Sequence, residues 1–133
     1  QLAWKLSQDG RVVVLDKTNA RHLSADEVPE PVDLIVCDAS FIGLETLLPG
    51  PMALARPGAH LIALIKPQFE VGKGNVGKGG IVRDPAQHQA VCDRIESWLG
   101  GQPGWRVLGI TDSPLTGADG NKEFLIGAKL DEG

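Results

Sequence analysis

The amino-acid sequence predicts an α/β fold: a mostly parallel sheet with helices on both faces and a last strand that runs antiparallel. Three observations predict it. Apolar, β-branched runs at 11–15 (RVVVL), 33–38 (DLIVCD) and 60–66 (HLIALIK) read as buried strands. Helical patterns at 43–56 and from 84 to 100 alternate with them, as parallel crossovers require. Two further runs, 105–111 (WRVLGIT) and 123–129 (EFLIGAK), are joined by turn residues alone, so this pair can fold back on itself.

Taken in order, residues 1–8 place Leu2 and Leu6 on one helical face, with a stop at Gly10. The first strand follows, and 16–21 (DKTNAR) is a loop. Residues 24–31 are acidic and contain proline, hence solvated turn. The second strand ends on Asp38. The segment 43–56 is helical in pattern but carries Pro49, Gly50 and Pro51, which predicts a broken helix closed by Gly58. The third strand ends on Lys66. Asp84-Pro85-Ala86-Gln87 is a helix start, with Asp84 as cap, Pro85 in the first turn and Gln87 placed for a capping box. Val91, Ile95, Trp98 and Leu99 then repeat at helical spacing up to Gly100-Gly101.

Composition excludes several classes. The 133 residues are 42% hydrophobic and 23% charged, the balance of one soluble globular domain. A net charge of −4 gives no global attraction to nucleic acid, so such a partner must meet a local patch. No apolar run reaches the roughly 18 residues of a membrane span, and no signal peptide opens the chain. Cys37 and Cys92 are far apart in apolar surroundings, which suits reduced thiols in the cytoplasm. The three histidines show no ligand spacing, and no metal is expected. Met52 is the single methionine and the chain opens at Gln1 within a helical pattern, so a piece of a longer protein is expected.

A parallel sheet gathers its strand C-termini on one edge, where ligands bind. Asn19, Asp38 and Lys66 follow or end strands and so share that edge. Glu123 joins them because the last strand runs backwards. Lys66 reads either as a lysine snorkelling from a strand end or as an amine whose partial desolvation suits it to act as a base. Asp38 reads as a helix cap or as a carboxylate that binds a cation or holds the lysine. Glu123 beside Lys122 reads most simply as a surface pair on an edge strand, and Asn19 as a turn residue or a reader of a flat base such as adenine.

Residues 72–79, GKGNVGKG, match a phosphate-binding GxxxxGK loop in seven places, but Gly79 stands where Ser or Thr should hold magnesium. The loop is also separated from its strand by PQFEV and from the next helix by Gly80-Ile81-Val82, so nucleotide hydrolysis is rejected. Lys66, Lys73, Lys78 and Arg83 outweigh Glu70 over 66–83. That local base in an acidic chain suits a phosphate backbone, with Lys73, Lys78 and Arg83 placed to meet it.

The blocks LDKTNARHL, CDASFIGLETLLP, LIKPQFEVGKGNVGKGGIVRDPAQH and SPLTGADGNKEF resemble the haemolysin A (TlyA) family, within the FtsJ-like ribosomal RNA methyltransferases, through almost the whole chain. The resemblance implies a Rossmann-like methyltransferase sheet that uses S-adenosylmethionine to methylate a ribose 2′-hydroxyl of ribosomal RNA, on or near a ribosomal subunit. It implies a Lys–Asp–Lys–Glu set, with Asp38 as the aspartate, Lys66 as the second lysine and Glu123 as the glutamate. Asn19 and Ala20 would lie against the cofactor adenine, with Asp38 also bordering the cofactor. The family's first lysine, its glycine-rich turn and the acidic residue for the cofactor ribose are missing. So are its first two strands and an N-terminal RNA-binding domain, so residues 1–133 are expected to form one partial methyltransferase domain, inactive by itself. The strand 11–15 would neighbour a strand absent from the chain. Two rivals stand beside this reading: a non-catalytic RNA-binding or ribosome-associated module, and a haemolysin-type membrane-active protein, for which no span or basic amphipathic helix is present.

Overall fold

The computed structural model describes residues 12–16, 32–38, 43–71, 80–114 and 120–132. They form a five-stranded sheet and four helices: β1 (Val12–Asp16), β2 (Val32–Asp38), α1 (Leu44–Leu47), α2 (Pro49–Ala53), β3 (Ala55–Ile65), α3 (Pro67–Glu70), α4 (Pro85–Gly100), β4 (Trp105–Asp112) and β5 (Phe124–Leu130). The strand order is β1-β2-β3-β5-β4. The first three strands are parallel, and β5 is antiparallel to both β3 and β4. The mostly parallel sheet and the reversed last strand are therefore as the sequence predicts. The final pair is a ladder in which β5 inserts between β3 and β4.

The resemblance implied that the first strand would neighbour a strand outside this chain. Among the described residues it pairs with β2 over its full length, from Val12↔Leu34 to Asp16↔Asp38, and stands at the edge of the sheet, so its other side does not bear on that expectation. The edge of β2 offers backbone donors and acceptors that need partners, and β1 supplies them.

The segment 43–56 breaks at its prolines as expected. Leu48 closes α1 and precedes Pro49, which occupies the first turn of α2. Gly58 does not close that helix. It lies inside β3 with φ +88°, a conformation open to glycine, and the strand already starts at Ala55. The start of α4 is as read from the sequence: the Asp84 side chain accepts from the Ala86 N–H at 2.9 Å and Pro85 follows.

The core lies on one face of the sheet. Val91, Cys92, Ile95 and Leu99 of α4 are buried. They form one cluster with Leu44, Leu47 and Leu48 and with Ile35, Cys37, Leu61, Ala63, Ile65, Ile126 and Ala128 of the strands. Alternation along β3 leaves His60 and Ile62 exposed on the opposite face while Leu61 and Ala63 are buried. The contacts of α4 with α1, α3, β3, β4 and β5 gather these elements on the core face. The predicted helix at 1–8 lies outside the described residues.

Candidate active site at the carboxyl rim of the sheet

The registers bring the ends of separate strands to one rim. Asp16 pairs with Asp38, Ile65 with Phe124, and Phe124 in turn with Asp112. Asp38 is thus the last residue of β2, Lys66 the first after β3, and Glu123 the residue before β5. Pro67 decides where β3 ends. A proline holds the residue before it in extended conformation, and Lys66 has φ −115° and ψ 94° at the cap of α3.

Lys66 Nζ lies 2.6 Å from Asp38 Oδ1, with the lysine side chain 13% exposed and the aspartate 53%. An ammonium drawn largely out of water needs a compensating charge, and the carboxylate supplies it in a short, charge-assisted contact. The aspartate keeps half of its surface toward solvent, so the pair has an open side.

Glu123 overturns the surface-pair expectation. It is 5% exposed, because β5 lies between two strands and is not an edge. Its Oε2 accepts from Gln68 Nε2 at 2.9 Å. Lys122 turns elsewhere: it pairs with Asp112 at 3.2 Å and sits 5.5 Å from the centroid of the Phe124 ring.

Residues that the charge pattern did not single out hold the rim together. The buried Asn121 accepts from the Val82 N–H and donates to the Gly80 carbonyl, both at 2.9 Å. His88 Nε2 lies 2.8 Å from the Val82 carbonyl, and its ring meets Phe124 edge-on at 5.7 Å. The stretch before Arg83 is therefore tied to the entry of β5 and to α4. Glu70 closes α3. Its carboxylate accepts from the Leu44 N–H at 3.0 Å and from Arg94 Nη2 at 2.7 Å. Gly43 leaves room for it, since a Cβ there would stand 3.1 Å from Glu70 Oε1. Burial pushes the Glu70 carboxyl above its usual range, against the lowering effects of the Leu44 N–H and Arg94. Asn121, Gln68 and Glu70 all lie inside the blocks that carry the family resemblance, which is the one signal that could have found them.

Arg83 is exposed just before the Asp84 cap, and α4 begins only at Pro85, so residues 81–84 separate the glycine–lysine run from the helix. Asn19, Ala20, Lys73 and Lys78 lie outside the described residues. Cys37 and Cys92 are buried thiols, and burial, followed by Asp93, Asp112 and Glu96, pushes the Cys92 thiol up to about 11. Among the described residues no helix is long and apolar enough to cross a membrane, and no group of three or more His, Cys, Asp or Glu could hold a metal ion.

Comparison with known families decides which group this rim falls in. The model of the FtsJ-like methyltransferase family matches residues 1–130. The chain belongs to the FtsJ-like methyltransferase family. Among its relatives is the 16S/23S rRNA (cytidine-2′-O)-methyltransferase TlyA of Mycobacterium tuberculosis, 46% identical over 130 residues that make up 95% of this chain and 47% of the relative. Two solved structures share the fold. A candidate hemolysin from Lactococcus lactis aligns at TM-score 0.78 and 38% identity, over 94% of this chain and 60% of that one. Another from Streptococcus thermophilus aligns at TM-score 0.79 and 34% identity, over 99% and 48%. The chain spans about half the length of the curated relatives it matches.

Proposed function

We propose that this chain supplies the C-terminal part of an S-adenosylmethionine-dependent methyltransferase domain that acts on a ribose 2′-hydroxyl of ribosomal RNA in the cytoplasm. The observation that carries the reading is the Asp38–Lys66 pair at 2.6 Å beside the buried Glu123, in a member of the FtsJ-like family. A relative named for rRNA 2′-O-methylation supports the substrate class.

The residues present suit such a cofactor on one side. The half-exposed carboxylate of Asp38 offers negative charge to a cationic ligand at the end of β2, where open α/β sheets bind ligands. Asn19 and Ala20 are proposed to border the adenine. When bound, S-adenosylmethionine would supply an electrophilic methyl group on a positively charged sulfur. A ribose hydroxyl is a very weak acid, so its oxygen becomes a competent nucleophile as its proton leaves. Lys66 Nζ, in its amine form, accepts that proton, and Asp38 holds the resulting ammonium. Glu123 keeps a second negative charge at the same rim. Much of the acceleration comes from holding the hydroxyl in line with the methyl group. Lys73, Lys78 and Arg83 are proposed to meet the RNA backbone by charge, which makes binding salt-dependent.

The test is methyl transfer from labelled S-adenosylmethionine to ribosomal RNA or ribosomal subunits by the full-length protein, followed by mapping of the modified ribose. Label at a 2′-oxygen is the expected result. RNA binding that needs no cofactor and survives Lys66→Ala, with no label transferred, would replace the enzyme by a non-catalytic RNA-binding module.

A further inference from the structure

We infer that Gln68 is a positioning residue, which holds the Glu123 carboxylate in place beside Lys66. The inference rests on the reading in which Lys66 and Glu123 border the reacting groups, and it adds a residue that this reading leaves without a role.

Gln68 is only 9% exposed, on the short helix α3. Its Nε2 donates to Glu123 Oε2 at 2.9 Å. An ionised carboxylate can only accept, so the amide must turn its nitrogen toward Glu123, and its orientation follows from that contact. The other end is then left over. Gln68 Oε1 is buried and has no hydrogen-bond partner among the described residues. A buried, unmade acceptor is costly, and an aliphatic side chain of similar size would avoid that cost. A residue that merely filled this space would have both polar ends satisfied or none. Gln68 has one end satisfied, and that end is on Glu123.

The placement is equally specific. Ile65 pairs with Phe124 as the last pair of the ladder, so Lys66 and Glu123 are the residues that leave that pair on the two chains, and Gln68 follows Lys66 by two positions. One short segment therefore carries the amine at its first residue and the donor that orients the carboxylate at its third. The segment is anchored at its far end. Glu70 takes the Leu44 N–H and Arg94 Nη2, while Arg94 Nη1 donates to the Glu70 carbonyl at 3.0 Å. α3 is in this way mounted on α1 and α4, and Gln68 transmits that mounting to Glu123. Without the donor, the buried carboxylate would lose its side-chain hydrogen bond to Gln68.

The test uses Gln68→Leu, Glu123→Gln, their combination, and the exchange variant Gln68→Glu with Glu123→Gln, all in the full-length protein. Gln68→Leu is expected to lower kcat about 10- to 100-fold, the size expected of a misplaced group. KM for RNA and for S-adenosylmethionine should stay within about threefold, because binding in the ground state is not the target. The shifts in melting temperature of Gln68→Leu and Glu123→Gln should be non-additive when combined, as for residues in contact. The exchange variant puts the donor at 123 and the carboxylate at 68. It should recover melting temperature relative to Gln68→Leu but not turnover, since the charge then sits in the wrong place. Wild-type kcat in Gln68→Leu, additive melting shifts, or full turnover in the exchange variant would each overturn the inference. If the unsubstituted protein transfers no methyl group, the methyltransferase reading fails separately, and the melting cycle alone then decides whether Gln68 orients Glu123.

Discussion

Two acid–base pairs flank α3, and they are built to opposite specifications. At its start, Lys66 meets Asp38 at 2.6 Å, and the aspartate keeps 53% of its side-chain surface exposed. At its end, Glu70 is 3% exposed and is saturated by a backbone N–H from α1 and by the Arg94 guanidinium, which also reaches Glu45 at 3.4 Å. The second pair fastens three elements together and leaves no acceptor facing outward. The first has an open side at the sheet rim. Ion pairs with similar distances can therefore differ in use: saturation marks a fastening, and an incompletely covered pair in a ligand-binding position marks a place for chemistry.

The largest effect that would sharpen this contrast is on turnover. Lys66→Ala in the full-length protein is expected to lower methyl transfer about 10²–10⁴-fold, the range for loss of a positioned base. Its stability should change by less than about 1 kcal/mol, since the abandoned Asp38 is half in water. Single-turnover transfer and urea unfolding measure the two sides, and full turnover would remove Lys66 from its proposed role. Arg94→Ala should do the reverse. It strips the charge partner from a buried carboxylate, and because Arg94 itself is 42% exposed the loss is set at about 2 kcal/mol, below the range for a fully buried pair. Activity per folded molecule should be nearly unchanged. A fall in kcat comparable to that of Lys66→Ala would break the distinction between the two pairs.

The smallest effect is on pH dependence. The Glu70 carboxyl is raised above its usual 4.5, chiefly by burial, so the folded protein holds that proton more tightly than the unfolded chain. Its contribution to stability is then complete below about 4.5 and is lost as pH rises through the higher folded value. Unfolding free energies of the unsubstituted protein and of Glu70→Gln, compared from about pH 4 to about pH 7, should show the unsubstituted protein losing ground. A constant or widening advantage would mean that Leu44 and Arg94 outweigh the burial of the carboxylate.

Much of the sheet was legible before any coordinates. Apolar runs, the Asp84-Pro85 start of α4 and the prolines of 43–56 report local preferences, and these survived folding because they act within a few residues. Gly58 was misread because its left-handed φ serves inside β3 as well as at a helix end. The surface pair with Lys122, the simplest reading of Glu123 taken alone, rested on a neighbour only one position away and fails because Glu123 is buried. Lys122 instead pairs with Asp112 and Glu123 with Gln68, so proximity in sequence said nothing about pairing. Asn121, Gln68 and Glu70 escaped the charge-based search because their partners, Val82, Glu123 and Arg94, lie 39, 55 and 24 residues away.

By itself, the chain determined the five strands and the start of α4 (but not α3), which strand ends would share a rim, and the membership in a methyltransferase family that its motif blocks signalled. Tertiary structure alone decided that β5 enters between β3 and β4, which brings buried Glu123 to the same end of the β3–β5 ladder as Lys66. It also decided that Gln68 spends one end of its amide on that carboxylate. The physical reason is that hydrophobic periodicity is written locally, whereas the pairing of buried polar groups depends on which distant backbone lies opposite, a property of the assembled sheet.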